Sequence, residues 1–382
     1  MSSTPDPVER RRLRLARVWD ALAGHDISAL IVSGKGTIGQ YGLLEWCSGY
    51  VPVVRGAVAV LVPGAEPILV VSTGADAWYA RERAGLTEVR VAGEGDILSE
   101  YDDIASGVAQ ALSEHGAATG RIGVAGLRHL LTAWEASRLT AALPEAELVD
   151  VTAAVSGLKA VKDAVDIEQL QATAAIADEG FEAFLAELAP GRSGWELNAA
   201  IEHSIRAQGV RDSLVFISTG AYFLERPTAD SIRDGDLVTA YIEIVGPTGY
   251  WVELARLVTV GRPTEELDRL AEWCLVAARA AEAELVPGRE AGDVARSIDA
   301  VAGQSGLRVG IWHGHGVGVD HDPPVITAGD STPLAEGMVI SVHPNFSTAD
   351  ERFGASVADT YVIEAEGPRR LSRLAPGLIE SP

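Results

Sequence analysis

Sulfur and lysine are scarce in this chain of 382 residues, which has 2 cysteines, 2 methionines and only Lys35, Lys159 and Lys162 as lysines. Cys47 and Cys274 lie far apart, which excludes a disulfide framework and a thiolate metal cluster and points to a reducing compartment. Positive charge is short as well: 31 basic against 54 acidic residues give a formal net charge of −23. Nucleic acid is therefore not an expected partner, because phosphate binding needs a basic surface that releases counterions. No run is long and apolar enough to span a membrane. The charged, amphipathic start from Met1 to Ala23 lacks the apolar core and cleavage site of a signal peptide. A cytoplasmic protein with a small-molecule substrate is the expectation.

Apolar residues make up 47% of the chain, enough for two substantial cores. Helical spacing of Leu13, Leu15, Val18, Trp19 and Leu22 precedes a buried strand around Ala29 to Val32. Strand runs follow at Ala57 to Val62, Pro67 to Val71 and Arg121 to Val124, with helices predicted over Ser99 to His115 and Leu127 to Leu143. This alternation predicts an α/β domain over residues 1–155. Beyond it, helices are predicted at Ala164 to Leu188, at Ser193 to Gln208 from a capping box, and at Glu265 to Leu285 and Ala291 to Val301. Strands are predicted at Leu214 to Ser218, Leu237 to Val245, Tyr250 to Val260, Val339 to Val342 and Ser356 to Glu364. Two helices then strands, twice over, suggest a duplicated half-unit filling a second domain, residues 156–382.

Half of the 8 histidines lie between His313 and His343. Three of them sit in Trp312-His313-Gly314-His315-Gly316-Val317-Gly318-Val319-Asp320-His321-Asp322-Pro323-Pro324. Imidazole binds metals when neutral and moves protons near neutral pH, and glycines let backbone approach closely, so this segment is a candidate site.

Several phrases in order carry a resemblance: Asp26-Ile27-Ser28-Ala29-Leu30-Ile31-Val32, Val161-Lys162-Asp163, Gly235-Asp236-Leu237-Val238, Gly249-Tyr250, Gly314-His315-Gly316-Val317-Gly318, Gly337-Met338-Val339 and Asp359-Thr360. The chain resembles the creatinase, aminopeptidase P and prolidase superfamily. The resemblance implies a creatinase-type N-terminal domain, a pita-bread C-terminal domain and a homodimer. Catalytic members hold two metals with two Asp, one His and two Glu. Carried over, the first Asp falls at Tyr241, the second at Glu253, the His at His315, the first Glu at His343 and the second at Ala358.

The dinuclear set is broken, because Tyr and Ala cannot replace carboxylates between two cations. Glu253, His315 and His343 survive as candidate ligands for a single divalent metal, with Zn, Fe or Mn all compatible. A metal-free site, as in creatinase, is the alternative. Tyr241, Glu243 and His321 are candidate catalytic residues. Glu243 is expected to need one extra residue in the Gly246-Pro247-Thr248-Gly249 hairpin to reach the face of Glu253. Glu225, Arg226, Trp251 and His313 are candidate substrate contacts. The leading expectation is hydrolysis of a carbon–nitrogen bond in an amino-acid-like or guanidino/amidino substrate, and not the activity of a standard dinuclear Xaa-Pro peptidase. Mononuclear iron chemistry, either oxidation or elimination, and a non-catalytic peptide-binding module are the other readings.

Overall fold

The computed structural model describes residues 6–53, 55–92 and 100–381. The chain divides into two compact units, one ending at Lys159 and one beginning at Ala160. Among the described residues no helix is long and apolar enough to cross a membrane.

In the first unit one mixed sheet has the order β4-β3-β2-β1-β5-β6, built from Ala29–Gly34 (β1), Ala57–Leu61 (β2), Ile68–Val71 (β3), Glu88–Val91 (β4), Gly120–Ala125 (β5) and Ala146–Asp150 (β6). Its helices are Pro7–Leu22 (α1), Gly42–Ser48 (α2), Gly74–Ala84 (α3), Glu100–Glu114 (α4), Ala133–Ala142 (α5) and Thr152–Ala160 (α6). Ile31, Val60, Val70, Val108, Ile122 and Leu139 share one apolar core. The helix predicted from Leu127 begins only at Ala133, because Thr132 and Glu135 form a capping box that fixes the first turn there. α2 escapes a periodicity reading because every one of its residues is buried. The predicted positions Met1 to Pro5 and Ser99 lie outside the described residues.

The second unit is a pita-bread domain. Its first half runs Ala164–Glu187 (α7), Gly194–Arg206 (α8), Asp212–Ser218 (β7), Leu237–Val245 (β8) and Trp251–Val260 (β9). Capping boxes open both helices, Asp163 with Asp166 and Ser193 with Glu196. The second half runs Glu265–Glu284 (α9), Ala291–Ser305 (α10), Arg308–Val309 (β10), Gly314–Val317 (β11), His321–Val325 (β12), Val339–Val342 (β13), Asn345–Ser347 (β14), Gly354–Ser356 (β15), Asp359–Glu364 (β16), Gly367–Arg370 (β17) and Leu378–Ser381 (β18). The main sheets have the orders β18-β9-β8-β7 and β12-β11-β13-β16-β17. They meet at a backbone bridge between Ala255 and Ala358. That bridge is why the strand predicted over Ser356 to Glu364 is interrupted: at Ala358 the backbone bonds to the other sheet.

Candidate functional site

Every residue of β8 and β9 is buried, and side chains alternate faces along each strand. Tyr241 lies opposite Ala255 and Glu243 opposite Glu253, so these four share one face. No extra hairpin residue is needed for Glu243 to face Glu253, which corrects that expectation: the turn between Val245 and Trp251 already sets the register. Arg256 takes the other face. Its guanidinium, 0% exposed, donates to Ala255 O and Ala358 O at 2.9 Å each and to Asp359 Oδ1 at 2.8 Å. Arg256 therefore orders the junction beneath the site, and the buried partners of Glu253 are imidazoles and a phenol.

The second sheet supplies the imidazoles. Gly314 adopts φ +153°, and a Cβ there would lie 2.2 Å from Ser341 O, so only glycine allows β11 to run this close to β13. Gly316 is equally constrained by Pro323 O at 2.5 Å. The register of β11 against β12 shifts between His315 and Gly316, and such a bulge re-aims side chains. The His315 and His321 rings lie 4.3 Å apart, edge to face, and those of His315 and His343 5.8 Å apart.

His315 Nδ1 faces Gly316 O at 3.0 Å, which leaves Nε2 directed at Glu253 Oε1, 3.0 Å away. His321 Nε2 lies 2.8 Å from Glu243 Oε1, while its Nδ1 is 3.6 Å from Asp320 Oδ1. Trp251, fully buried, stacks on His321 with centroids 5.6 Å apart. Tyr241 donates its hydroxyl to Glu253 Oε2. Thr360 Oγ1 accepts from Glu253 N at 3.0 Å and donates to Glu253 O at 3.1 Å, which fixes the backbone of that carboxylate.

Charges follow from this packing. Burial opposes ionisation of Glu253, but the charge and hydrogen bond of His315, with the charge of His321, outweigh it and hold the carboxyl well below its usual range. Burial and the like charge of Glu253 push Glu243 up. Burial works against protonation of His321, yet Asp320 and Glu243 push it up to about 11. His343 is pushed down to about 4, chiefly by burial, so its ring is neutral at pH 7. Tyr241 stays a phenol, raised by burial and then by Glu253 and Glu243.

Glu253, His315 and His343 each offer a donor atom within 4.8 Å of the others, and so do Glu243, Glu253 and His321. His343 Nδ1 is buried without a hydrogen-bond partner among the described residues, and Glu253 Oε1 has the His315 ring as its partner at 3.0 Å. Buried donors converging in this way, with His343 Nδ1 unpartnered, fit a divalent cation, and two imidazoles with one carboxylate suit zinc or ferrous iron. Beside them Phe223, Tyr241, Ala255 and Ala358 form a small apolar cluster. The rings of Phe223 and Tyr241 stack 5.1 Å apart.

Residues 168–365 match metallopeptidase family M24, and residues 14–161 match the creatinase/prolidase N-terminal domain. The chain belongs to metallopeptidase family M24. It is 30% identical over 253 residues to the uncharacterized peptidase YqhT of Bacillus subtilis, covering 63% of this chain and 70% of the relative. Identity to the uncharacterized hydrolase/peptidase y4tL of Sinorhizobium fredii is 26% over 362 residues, covering 91% and 90%. Among solved structures, dipeptidase PepE from Mycobacterium ulcerans superposes with a TM-score of 0.81 at 25% identity, covering 99% of this chain and 100% of that one. The Xaa-Pro dipeptidase from Bacillus anthracis superposes at 0.81 with 21% identity over 97% and 99%.

The structure gathers Tyr241, Glu243, Trp251, Glu253, His315, His321 and His343. It places His313 elsewhere: the ring turns to α10, with Nε2 2.9 Å from Asp299 Oδ1, because Gly314 interrupts the strand alternation. Glu225 and Arg226 are exposed; Glu225 Oε2 accepts from Ser218 at 3.2 Å, and the Arg226 guanidinium lies 5.2 Å over the Phe216 ring. Phe223 escapes the sequence reading, and Thr360 and Asp320 enter it only as members of motifs, with no role at the site. For Asp320 the signal was adjacency to His321; Phe223 sits in a loop with no pattern.

Proposed function

We propose that this M24 protein is a metal-dependent hydrolase that cleaves a carbon–nitrogen bond in a small amino-acid-like or guanidino/amidino substrate, and that its cation sits on Glu253, His315 and His343. The supporting observation is the unpartnered, buried His343 Nδ1 in one cluster of donor atoms with Glu253 and His315. A cation bound there polarises a carbonyl-type carbon–heteroatom bond and acidifies water. The protein's own groups do the rest. His321, protonated and held by Glu243 and Asp320, delivers a proton to the departing nitrogen, and Glu243 receives one from water. Trp251 holds the His321 ring by stacking, and Tyr241 and Thr360 keep Glu253 in one orientation. The tested substrates are Xaa-Pro dipeptides, since relatives carry dipeptidase names, and guanidino amino acids. A cytoplasmic homodimer goes with this reading.

Metal analysis of protein purified without chelator, set against His315→Ala, is the direct test. Bound zinc, iron or manganese that the variant loses together with hydrolysis supports the reading. Metal-free protein with undiminished hydrolysis overturns it. The replacement of a family Glu by His343 also favours a second reading, ferrous iron at a two-histidine, one-carboxylate site doing oxidation or elimination. Retention of iron over zinc, with no hydrolysis of either substrate class, would select it.

A further inference from the structure

Lys162, one of only three lysines, sits just ahead of α7, and its Nζ lies 2.7 Å from Asp322 Oδ2 with the two side chains 3% and 0% exposed. Taking two charges out of water is costly, and apolar side chains of similar volume are often as stable or more so, so stability alone does not account for such a pair. What it supplies is direction, because a charge pair has one favoured geometry. Both of its ends are fixed. Lys162 N donates to Gly337 O at 2.9 Å, and Lys162 Nζ donates to Ala160 O at 3.0 Å. Asp322 pairs with Gly316 across the hairpin of β11 and β12, one residue from His321, which pairs with Val317. The ion pair packs on the turn itself: a Cβ at Gly318 would lie 2.6 Å from Asp322 Oδ2 and 3.0 Å from Lys162 Cε. Trp251 N holds the same turn by donating to Gly318 O at 2.8 Å. Successive strand residues point to opposite faces, so with Asp322 turned to Lys162, His321 is turned to Glu243, 2.8 Å away.

We propose that Lys162 is a positioning residue for His321: its ion pair with Asp322 locks the turn between β11 and β12, and the locked turn keeps the imidazole on Glu243 and stacked on Trp251. Lys162 acts through the backbone of that turn. An apolar pair in its place fills the same volume but leaves the turn free to slide, and the imidazole moves with it. The proposal rests on the preceding reading only for the proton transfer assigned to His321.

The test compares the full-length wild type with Lys162→Met, Asp322→Leu and the double variant carrying both. Each single variant strands one buried charge and loses stability, whereas the double variant replaces the pair with apolar side chains and recovers it. The readouts are thermal unfolding, the hydrogen-bonded imidazole proton of His321 in the NMR spectrum, identified by its loss in His321→Asn, and kcat and KM. The expected result for the double variant is unfolding like that of the wild type with the His321 resonance shifted or broadened beyond detection. Where the wild type hydrolyses either substrate class, kcat falls about 10- to 100-fold with KM and bound metal unchanged. Should the double variant not fold, Asp322→Glu, which keeps the charge and lengthens the arm, is expected to move the same resonance. An unmoved resonance or an unchanged kcat makes the pair a structural tie and overturns the proposal. So does a wild type without a hydrogen-bonded His321 proton. A wild type that hydrolyses neither class overturns the preceding reading alone, because the resonance still reports where the imidazole is held.

Discussion

Two neighbouring stretches of one hairpin face have opposite characters. At the level of Glu243 and Glu253 the face is a polar row, closed over by His321, His315 and His343. One residue pair further along, at Tyr241 and Ala255, it is an apolar plug completed by Phe223 and Ala358. The strand residues of both stretches, Glu243 and Glu253 as much as Tyr241 and Ala255, are buried, so burial of the strands does not distinguish them. What differs is whether polar atoms have partners. The plug's single hydroxyl is satisfied by Glu253, whereas the row holds two carboxylate–imidazole ion pairs and keeps His343 Nδ1 without a hydrogen bond among the described residues. A buried unsatisfied polar group costs about 1–3 kcal/mol, which a fold retains for a ligand and not for stability.

The largest effect that would sharpen this comparison is the acid sensitivity of the metal-free protein. His343 titrates near 4 when folded against about 6.5 unfolded, so the unfolded chain binds more protons between those values. Its contribution is full above pH 6.5 and is lost as pH falls toward 4, by about 3 kcal/mol. Urea unfolding at pH 7 and pH 4.5 measures it, and His343→Asn should flatten that limb. An unchanged limb in the variant would show that His343 does not control acid stability.

Tyr241→Phe probes the boundary between row and plug. Filling without bonding predicts a neutral change; the hydrogen bond to a charged carboxylate predicts a loss of about 2 kcal/mol. Affinity for the cation proposed on Glu253, His315 and His343 should fall roughly 10-fold or more, read by competition with a chelator, because the phenol orients Glu253. The smallest effect belongs to Arg226→Ala, outside both stretches and exposed. Stability should change by less than about 0.5 kcal/mol and metal content not at all.

The fold was legible because its signals are local and ordered: capping boxes at Ser193 and Asp163, the Gly-Asp strand entry at Gly235, and the glycine-rich run at Gly314 to Gly318. At the site, the trio of Glu253, His315 and His343 follows from the resemblance. Glu243 was misplaced, since its face depends on a turn whose register is not written in residue types. His313 and His315 look equivalent in sequence, yet one meets Asp299 and the other Glu253.

By itself, the sequence determined which donors exist, and that Tyr241 and Ala358 could not serve as bridging carboxylates. Tertiary structure alone decided that Glu243 faces Glu253, that Phe223 fills the space beside Tyr241, and that His321 belongs with Glu243. The reason is physical: donor identity is a property of single residues, whereas convergence depends on strand register and on the approach of two sheets at Ala255 and Ala358.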